Sequence, residues 1–277
     1  MGALELIAAW PVTNSAGVVL RGGEPADMVG DVHRHFRLAS ISKPIVAWAA
    51  MIAVEEGLLS LDTPVGQPGC TLRHLLSHAG GYPFNGAEPI AKPEVTRVYS
   101  NTGIELAADA VAVAADMPFE EYLRLGVFEP LGMTATSLRG SPAYAIWSTA
   151  VDTFRFMADV MRPALLSRAG AQTATRTHFP ALGGIVPGVG RYEVSAWGLG
   201  FEVRGDKEPH WTGSANHPAT FGHFGGAGTM MWIDPDADIG LVALTDRPFD
   251  EWGSTALERW PELSDAVLDE FAEAASR

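Results

Sequence analysis

Ser40-Ile41-Ser42-Lys43, followed by Tyr99-Ser100-Asn101 and then by His223-Phe224-Gly225, sets the architecture expected of this 277-residue chain. A serine and a lysine three residues apart in a helix share one face, so the hydroxyl and the amine come within reach of one proton. A serine hydroxyl is a weak nucleophile at its free pKa and attacks a carbonyl only when a neighbour takes that proton. Lys43 and Tyr99 are the two candidates for the base. Ser42 has no lysine three residues after it and faces away from Lys43 in a helix, which leaves Ser40 as the nucleophile.

Taken singly, each of these motifs is short enough to arise by chance, and their order along the chain is what carries weight. A Ser-x-x-Lys, a Tyr-Ser-Asn and a His-x-Gly in that order resemble the class C β-lactamase, D-alanyl-D-alanine peptidase and esterase family, which includes the penicillin-binding-protein-like hydrolases. The text between the motifs is similar as well: Leu61-Asp62-Thr63-Pro64-Val65, Leu72-Arg73-His74-Leu75-Leu76-Ser77-His78, Glu129-Pro130-Leu131-Gly132-Met133-Thr134 and Trp197-Gly198-Leu199-Gly200. The resemblance runs from about residue 30 to the end of the chain.

What the resemblance implies is a serine hydrolase working through an acyl-enzyme on Ser40, with Lys43 and Tyr99 moving its proton and Asn101 and His223 holding the network. It places the oxyanion hole at the backbone N–H groups of Ser40 and Gly226. Glycine at 225 and 226 would let a substrate backbone approach the strand that His223 opens, which makes Gly225 and Phe224 substrate-binding positions. In the Lys-Thr-Gly form of this motif the middle hydroxyl helps bind a substrate carboxylate, and Phe224 has none. A small ester or amide is therefore expected ahead of a β-lactam, unless Phe224 points away from the cleft as alternate strand residues do. A histidine at 223 is expected to titrate within a unit or two of about 6.5 and to give ester hydrolysis a limb there. A non-catalytic recognition module is the alternative from another class, and nothing in the residues favours it.

Composition agrees with a globular enzyme: 47% hydrophobic and 19% charged residues. Nineteen basic against 33 acidic side chains leave a net charge of −14, which repels nucleic acid and anionic membrane faces. The expected partner is a small-molecule ester, amide or lactam, with no nucleic acid, no membrane, and no cofactor. The single cysteine, Cys70, reads as a small buried hydrophobe. Met1 to Trp10 carries no lysine or arginine and has Glu5 in its middle, so no secretory leader is read there and a cytoplasmic protein is expected.

The remaining pattern predicts an α+β fold: one antiparallel sheet flanked by N- and C-terminal helices, with an inserted helical subdomain. The expected division is a single catalytic domain over 1–277, with a sheet-containing part at 1–60 and 191–277 and a mostly helical part at 61–190. A helix is expected from Ser40 to about Glu56, with Pro44 harmless in its first turn. Strands are expected at His33–Leu38, Trp197–Val203, Ala227–Ile233 and Ile239–Thr245. Thr149 begins a helix by capping, and Leu263, Val267, Phe271 and Ala274 recur at helical spacing near the end. His33 with His35, and His74 with His78, have metal-capable spacing, but neither pair has a clear third ligand, so no metal is expected. Trp197 and Trp211 are candidates to wall the substrate cleft, with a packing role the alternative for each.

Overall fold

Thr229–Asp234 and Ile239–Thr245 are buried at every residue. A strand covered on both faces has to lie inside a sheet with a layer on each side. The computed structural model, which describes residues 2–272, places them so. In chain order the strands are β1 (Ser15–Arg21), β2 (Glu24–Gly30), β3 (Phe36–Arg37), β4 (Ser137–Leu138), β5 (Ile146–Ser148), β6 (Gly184–Val186), β7 (Gly190–Tyr192), β8 (Glu202–Val203), β9 (Phe221–Gly225), β10 (Thr229–Asp234) and β11 (Ile239–Thr245). The main sheet is antiparallel, in the order β2-β1-β11-β10-β9-β8. Chain ends meet in it, since Val18 of β1 lies opposite Val242 of β11. β3, β5 and β4 form a small second sheet, and β6 pairs with β7.

The helices are α1 (Ser42–Glu55), α2 (Leu72–Leu76), α3 (Asn101–Ala115), α4 (Phe119–Leu123), α5 (Ala150–Met161), α6 (Arg168–Thr175) and α7 (Gly253–Ala272). On one face of the sheet α7 and the 3₁₀ turn Ala3–Ala9 bury an aromatic cluster, in which Trp232 Nε1 donates to Ser264 Oγ at 3.0 Å. On the other face α1 and α5 close the larger core. The apolar residues of α1 are buried almost all round, as expected of a helix in the middle of a domain.

Several expectations from the pattern shift here. α1 starts at Ser42, and Ser40 sits before it in a 3₁₀ turn, Ala39–Ile41. The strand expected at His33–Leu38 shrinks to Phe36–Arg37. That expected at Trp197–Val203 shrinks to Glu202–Val203, because Gly200 at φ 74° turns the chain back and leaves Trp197 a single bridge to Glu202. His223 does not open its strand but stands at its middle, in Phe221–Gly225. α5, assigned by pattern to the helical part, packs on β1 and β11 and so covers the sheet. Thr149 caps it as expected, accepting from the Asp152 N–H at 3.1 Å. Leu263 and Val267 of α7 are buried, whereas Ala274 lies outside the described residues. Among the described residues no helix is long and apolar enough to cross a membrane.

Candidate active site

The turn that presents Ser40 is braced from behind. Ala39 takes φ 50°, a left-handed conformation that costs a residue with a Cβ about 1–2 kcal/mol. Thr229 Oγ1 of β10 holds the preceding carbonyl, donating to Leu38 O at 2.9 Å. Gly225 of β9 lies so close that a Cβ there would be 2.3 Å from that same oxygen. Gly225 therefore admits the protein's own backbone, a need beyond the substrate approach expected of it. Gly226 is different, since a Cβ there would meet nothing within 4 Å.

Ser40 is half-buried and Lys43 wholly buried. Lys43 Nζ lies 3.1 Å from Ser40 Oγ, 2.8 Å from Asn101 Oδ1 and 2.9 Å from the Ala143 carbonyl. Asn101 arrives there because Ser100 caps α3, accepting from the Gly103 N–H at 2.9 Å, and because its own Nδ2 donates to Asn85 Oδ1 at 3.0 Å. A neutral amine has two hydrogens and one lone pair. Asn101 and Ala143 take the hydrogens, which leaves the lone pair for the Ser40 proton. Burial lowers Lys43 to about 7, with the Glu105 carboxylate working against it. Ser42 is turned elsewhere, accepting from the Ile146 N–H at 3.2 Å.

Tyr99 and His223 close the other side. His223 Nδ1 is 2.5 Å from the Phe224 carbonyl, which only an N–H can approach so closely, so its Nε2 carries the lone pair. That nitrogen faces the Tyr99 hydroxyl at 3.3 Å, and the phenol donates to it. Burial, helped by the charge of Lys43, lowers His223 to about 3. His223 therefore stays neutral at working pH, and the expected limb near 6.5 cannot be its own. Burial also raises Tyr99 well above the usual phenol range, with a hydrogen bond from Ser40 acting the other way, so it keeps its proton.

The histidines of the second pair with metal-capable spacing, His74 and His78, go separate ways. His74 belongs to the cap of α2 through Thr71, and its Nε2 meets Glu94 at 2.7 Å. His78 supports Tyr99: its Nδ1 accepts from the Ser100 N–H at 3.2 Å, its carbonyl accepts from the Val98 N–H at 3.0 Å, and its ring packs on Tyr99 and Trp197. No spacing rule ties residue 78 to 98–100, so sequence reasoning missed this clamp. Among the described residues no three His, Cys, Asp or Glu side chains converge as a metal ion would need.

Beside Tyr99, His223 and Gly226 opens a cavity of about 210 Å³. Its walls are apolar, formed by Phe84, Val186, Trp197, Phe224 and Phe249 among others. Phe224 lines it too, while its ring packs against Trp211, Phe249 and Trp260. Trp211 does not line it, which corrects its expected place in the cleft: it is buried behind Phe224, ring centroids 5.7 Å apart, with Nε1 donating to Glu202 Oε2 at 2.6 Å. Glu202 also meets Lys207 at 3.2 Å and His210 at 3.3 Å. Burial works to raise this carboxyl, but Lys207 and His210 outweigh it and hold it at about 2. Among the described residues that line the cavity there is no lysine or arginine, and Glu202 is the one carboxylate.

This geometry has relatives. The family model described as Beta-lactamase matches residues 10–260. A solved structure of a β-lactamase from Mycobacterium bovis is 45% identical, with a TM-score of 0.95, covering 98% of this chain and 99% of that one. Penicillin-binding protein 4* of Bacillus subtilis (strain 168) is 29% identical over 134 residues, 36% of this chain and 30% of its own length. Esterase EstB of Burkholderia gladioli is 33% identical over 116 residues, 37% of this chain and 27% of its own length. The aligned stretches span under a third of either curated relative. The match over most of the chain, on a fold and a set of side chains that already agree with it, means that the chain belongs to the beta-lactamase family.

Proposed function

We propose that this protein is a serine hydrolase, a single catalytic domain, that forms an acyl-enzyme on Ser40 and acts on small neutral esters or amides. The observation that carries this reading is the Lys43 amine, buried, lowered to about 7 by desolvation, and 3.1 Å from the Ser40 hydroxyl. Neutral Lys43 takes the Ser40 proton as Oγ bonds to the carbonyl carbon. The oxyanion that forms is received by the N–H groups of Ser40 and Gly226, each donor being worth about 10²–10³ in rate. As the bond to the leaving group breaks, Tyr99 gives its proton to the departing atom, and the proton held by Lys43 replaces it. Water then attacks the acyl carbon while neutral Lys43 takes its proton, and as the bond to Ser40 Oγ breaks Lys43 returns that proton to Oγ and the acid leaves.

The preference for neutral substrates follows from the cavity. A substrate carboxylate would find Phe224 without a hydroxyl, a neutral His223 and the carboxylate of Glu202. Losing one charged hydrogen bond costs about 1–3 kcal/mol. A cavity of about 210 Å³ is also below the usual range of ligand pockets and suits a short acyl group. Hydrolysis of a β-lactam ring is the second reading, favoured by the 45% identity to the Mycobacterium bovis protein described as a β-lactamase.

The deciding experiment measures short-chain aryl esters and a chromogenic cephalosporin side by side at one pH, with a fluorophosphonate label mapped by mass spectrometry. One label on Ser40 and a higher kcat/KM for the esters are expected. Faster cephalosporin turnover would put the β-lactam reading first. A label on Ser42, or none on folded protein, would end the assignment of Ser40.

A further inference from the structure

One of the two acceptors of the Lys43 amine is a main-chain carbonyl in an irregular stretch between β4 and β5, that of Ala143. Such a carbonyl keeps its direction only if its loop is tied down. The tie is Ser141, whose Oγ accepts the Ala143 N–H at 3.2 Å and donates to Glu105 Oε1 at 2.5 Å. The Ser141 carbonyl completes the turn, accepting from the N–H groups of Tyr144 and Ala145 at 3.2 and 2.8 Å. Glu105 follows Asn101 by four residues in α3, so both stand on one face, one turn apart. That face addresses Lys43 twice, directly through Asn101 and by way of Ser141 and Ala143 from Glu105.

We propose that Glu105 is a positioning residue for Lys43, fixing the Ala143 carbonyl through Ser141 and setting a carboxylate on the face of α3 that meets the amine. The inference rests on the Ser40 acyl-enzyme reading. The other groups around the amine leave this role to Glu105. Ser40 in the adjoining turn is neutral, and Tyr99 keeps its proton under the amine, which lies 4.8 Å from its ring centroid. His78 after α2 and His223 in the middle of β9 are held neutral by burial and by Lys43 itself. Asn101 and Ala143 carry no charge. Burial of Lys43 is the larger effect on its proton, and Glu105 is the carboxylate that acts against it. Its consequence is that the base becomes available at a higher pH than burial alone would set.

The test follows kcat/KM on a short aryl ester and the rate of fluorophosphonate labelling against pH, for wild type and three variants. Glu105→Gln keeps an acceptor for Ser141 and removes the charge, so its acid limb should move down by about half a unit to one unit. Below the limb it should then outpace wild type by about three- to tenfold. Glu105→Asp keeps the charge but is too short to hold Ser141, so its limb should stay near that of wild type while kcat falls. Ser141→Ala should likewise lose about three- to tenfold in kcat at unchanged KM, because only the direction of the carbonyl has gone. Melting curves confirm that each variant is folded. A limb that stays in place or moves up in Glu105→Gln overturns the electrostatic role, and a wild-type kcat in Ser141→Ala overturns the mechanical one. Wild type that never labels on Ser40 is a separate failure, that of the acyl-enzyme reading.

Discussion

Two lysines of this protein are buried to the same degree, Lys43 at 0% exposure and Lys207 at 3%, and they do opposite things. Lys207 Nζ lies 3.2 Å from Glu202 Oε1 and also meets the Ala196 and Val203 carbonyls. Among the described residues Lys43 hydrogen-bonds no carboxylate; its partners are Ser40, Asn101 and the Ala143 carbonyl. Burial disfavours an ammonium in both places. At Lys207 the contact with Glu202 offsets part of that, although the amine still lies below its ordinary value, and the pair becomes a cross-tie between β8 and the chain after it. At Lys43 no carboxylate in contact answers it, and the amine is lowered to about 7, as the proposed base needs.

Removing the amines is the strongest way to break this contrast. Lys43→Ala should lower kcat on an activated ester by about 10⁴-fold, as should Ser40→Ala, and the double variant should be little worse, because the two act as one unit. Steady-state kinetics with fluorophosphonate labelling checks this, and near-normal turnover in Lys43→Ala would remove it as the base. Lys207→Met should act on the fold instead. It leaves Glu202 buried without its cation, which costs about 3–5 kcal/mol of stability by urea denaturation. The acid limb of the rate profile should stay where it is in folded Lys207→Met. Loss of activity at full stability would reverse the assignment of the two lysines.

Much of this site is legible in the sequence because its side chains sit at fixed local spacing or in short motifs. Ser40 and Lys43 are three residues apart, Asn101 follows the cap of α3, and β9 carries His223, so the fold brings Ser40, Lys43, Tyr99, Asn101 and His223 together. The sheet was legible from apolar runs at both chain ends. What escaped has a common cause. His78, Glu105 and Ala143 reach the site through long-range contacts that no periodicity encodes. Gly200 breaks the expected strand by a positive φ, and Gly225 is needed for a close contact with Leu38 across the fold. The neutrality of His223 comes from burial, which depends on what packs around it and not on its neighbours in sequence.

The finest test of the contrast is how stability follows pH. Lys43 is at about 7 in the folded protein against an ordinary value of 10.5. Below about pH 7 the amine is protonated whether the chain is folded or not, and the fold bears the full cost of the buried charge. Between about 7 and 10.5 the folded protein has lost that proton while the unfolded chain keeps it, so unfolding takes up a proton and stability rises with pH. The slope is at most about 1.4 kcal/mol per pH unit for one group. Glu202 leaves its mark at the other end. Its folded value of about 2 lies below the ordinary 4.5, so its contribution is present above 4.5 and is lost as pH falls towards 2. Lys43→Met should therefore flatten the alkaline rise and keep the acid-side loss, as read from urea midpoints over a pH series. An alkaline slope equal in wild type and variant would mean that Lys43 does not give up its proton in the fold, and that it differs from Lys207 in position but not in charge.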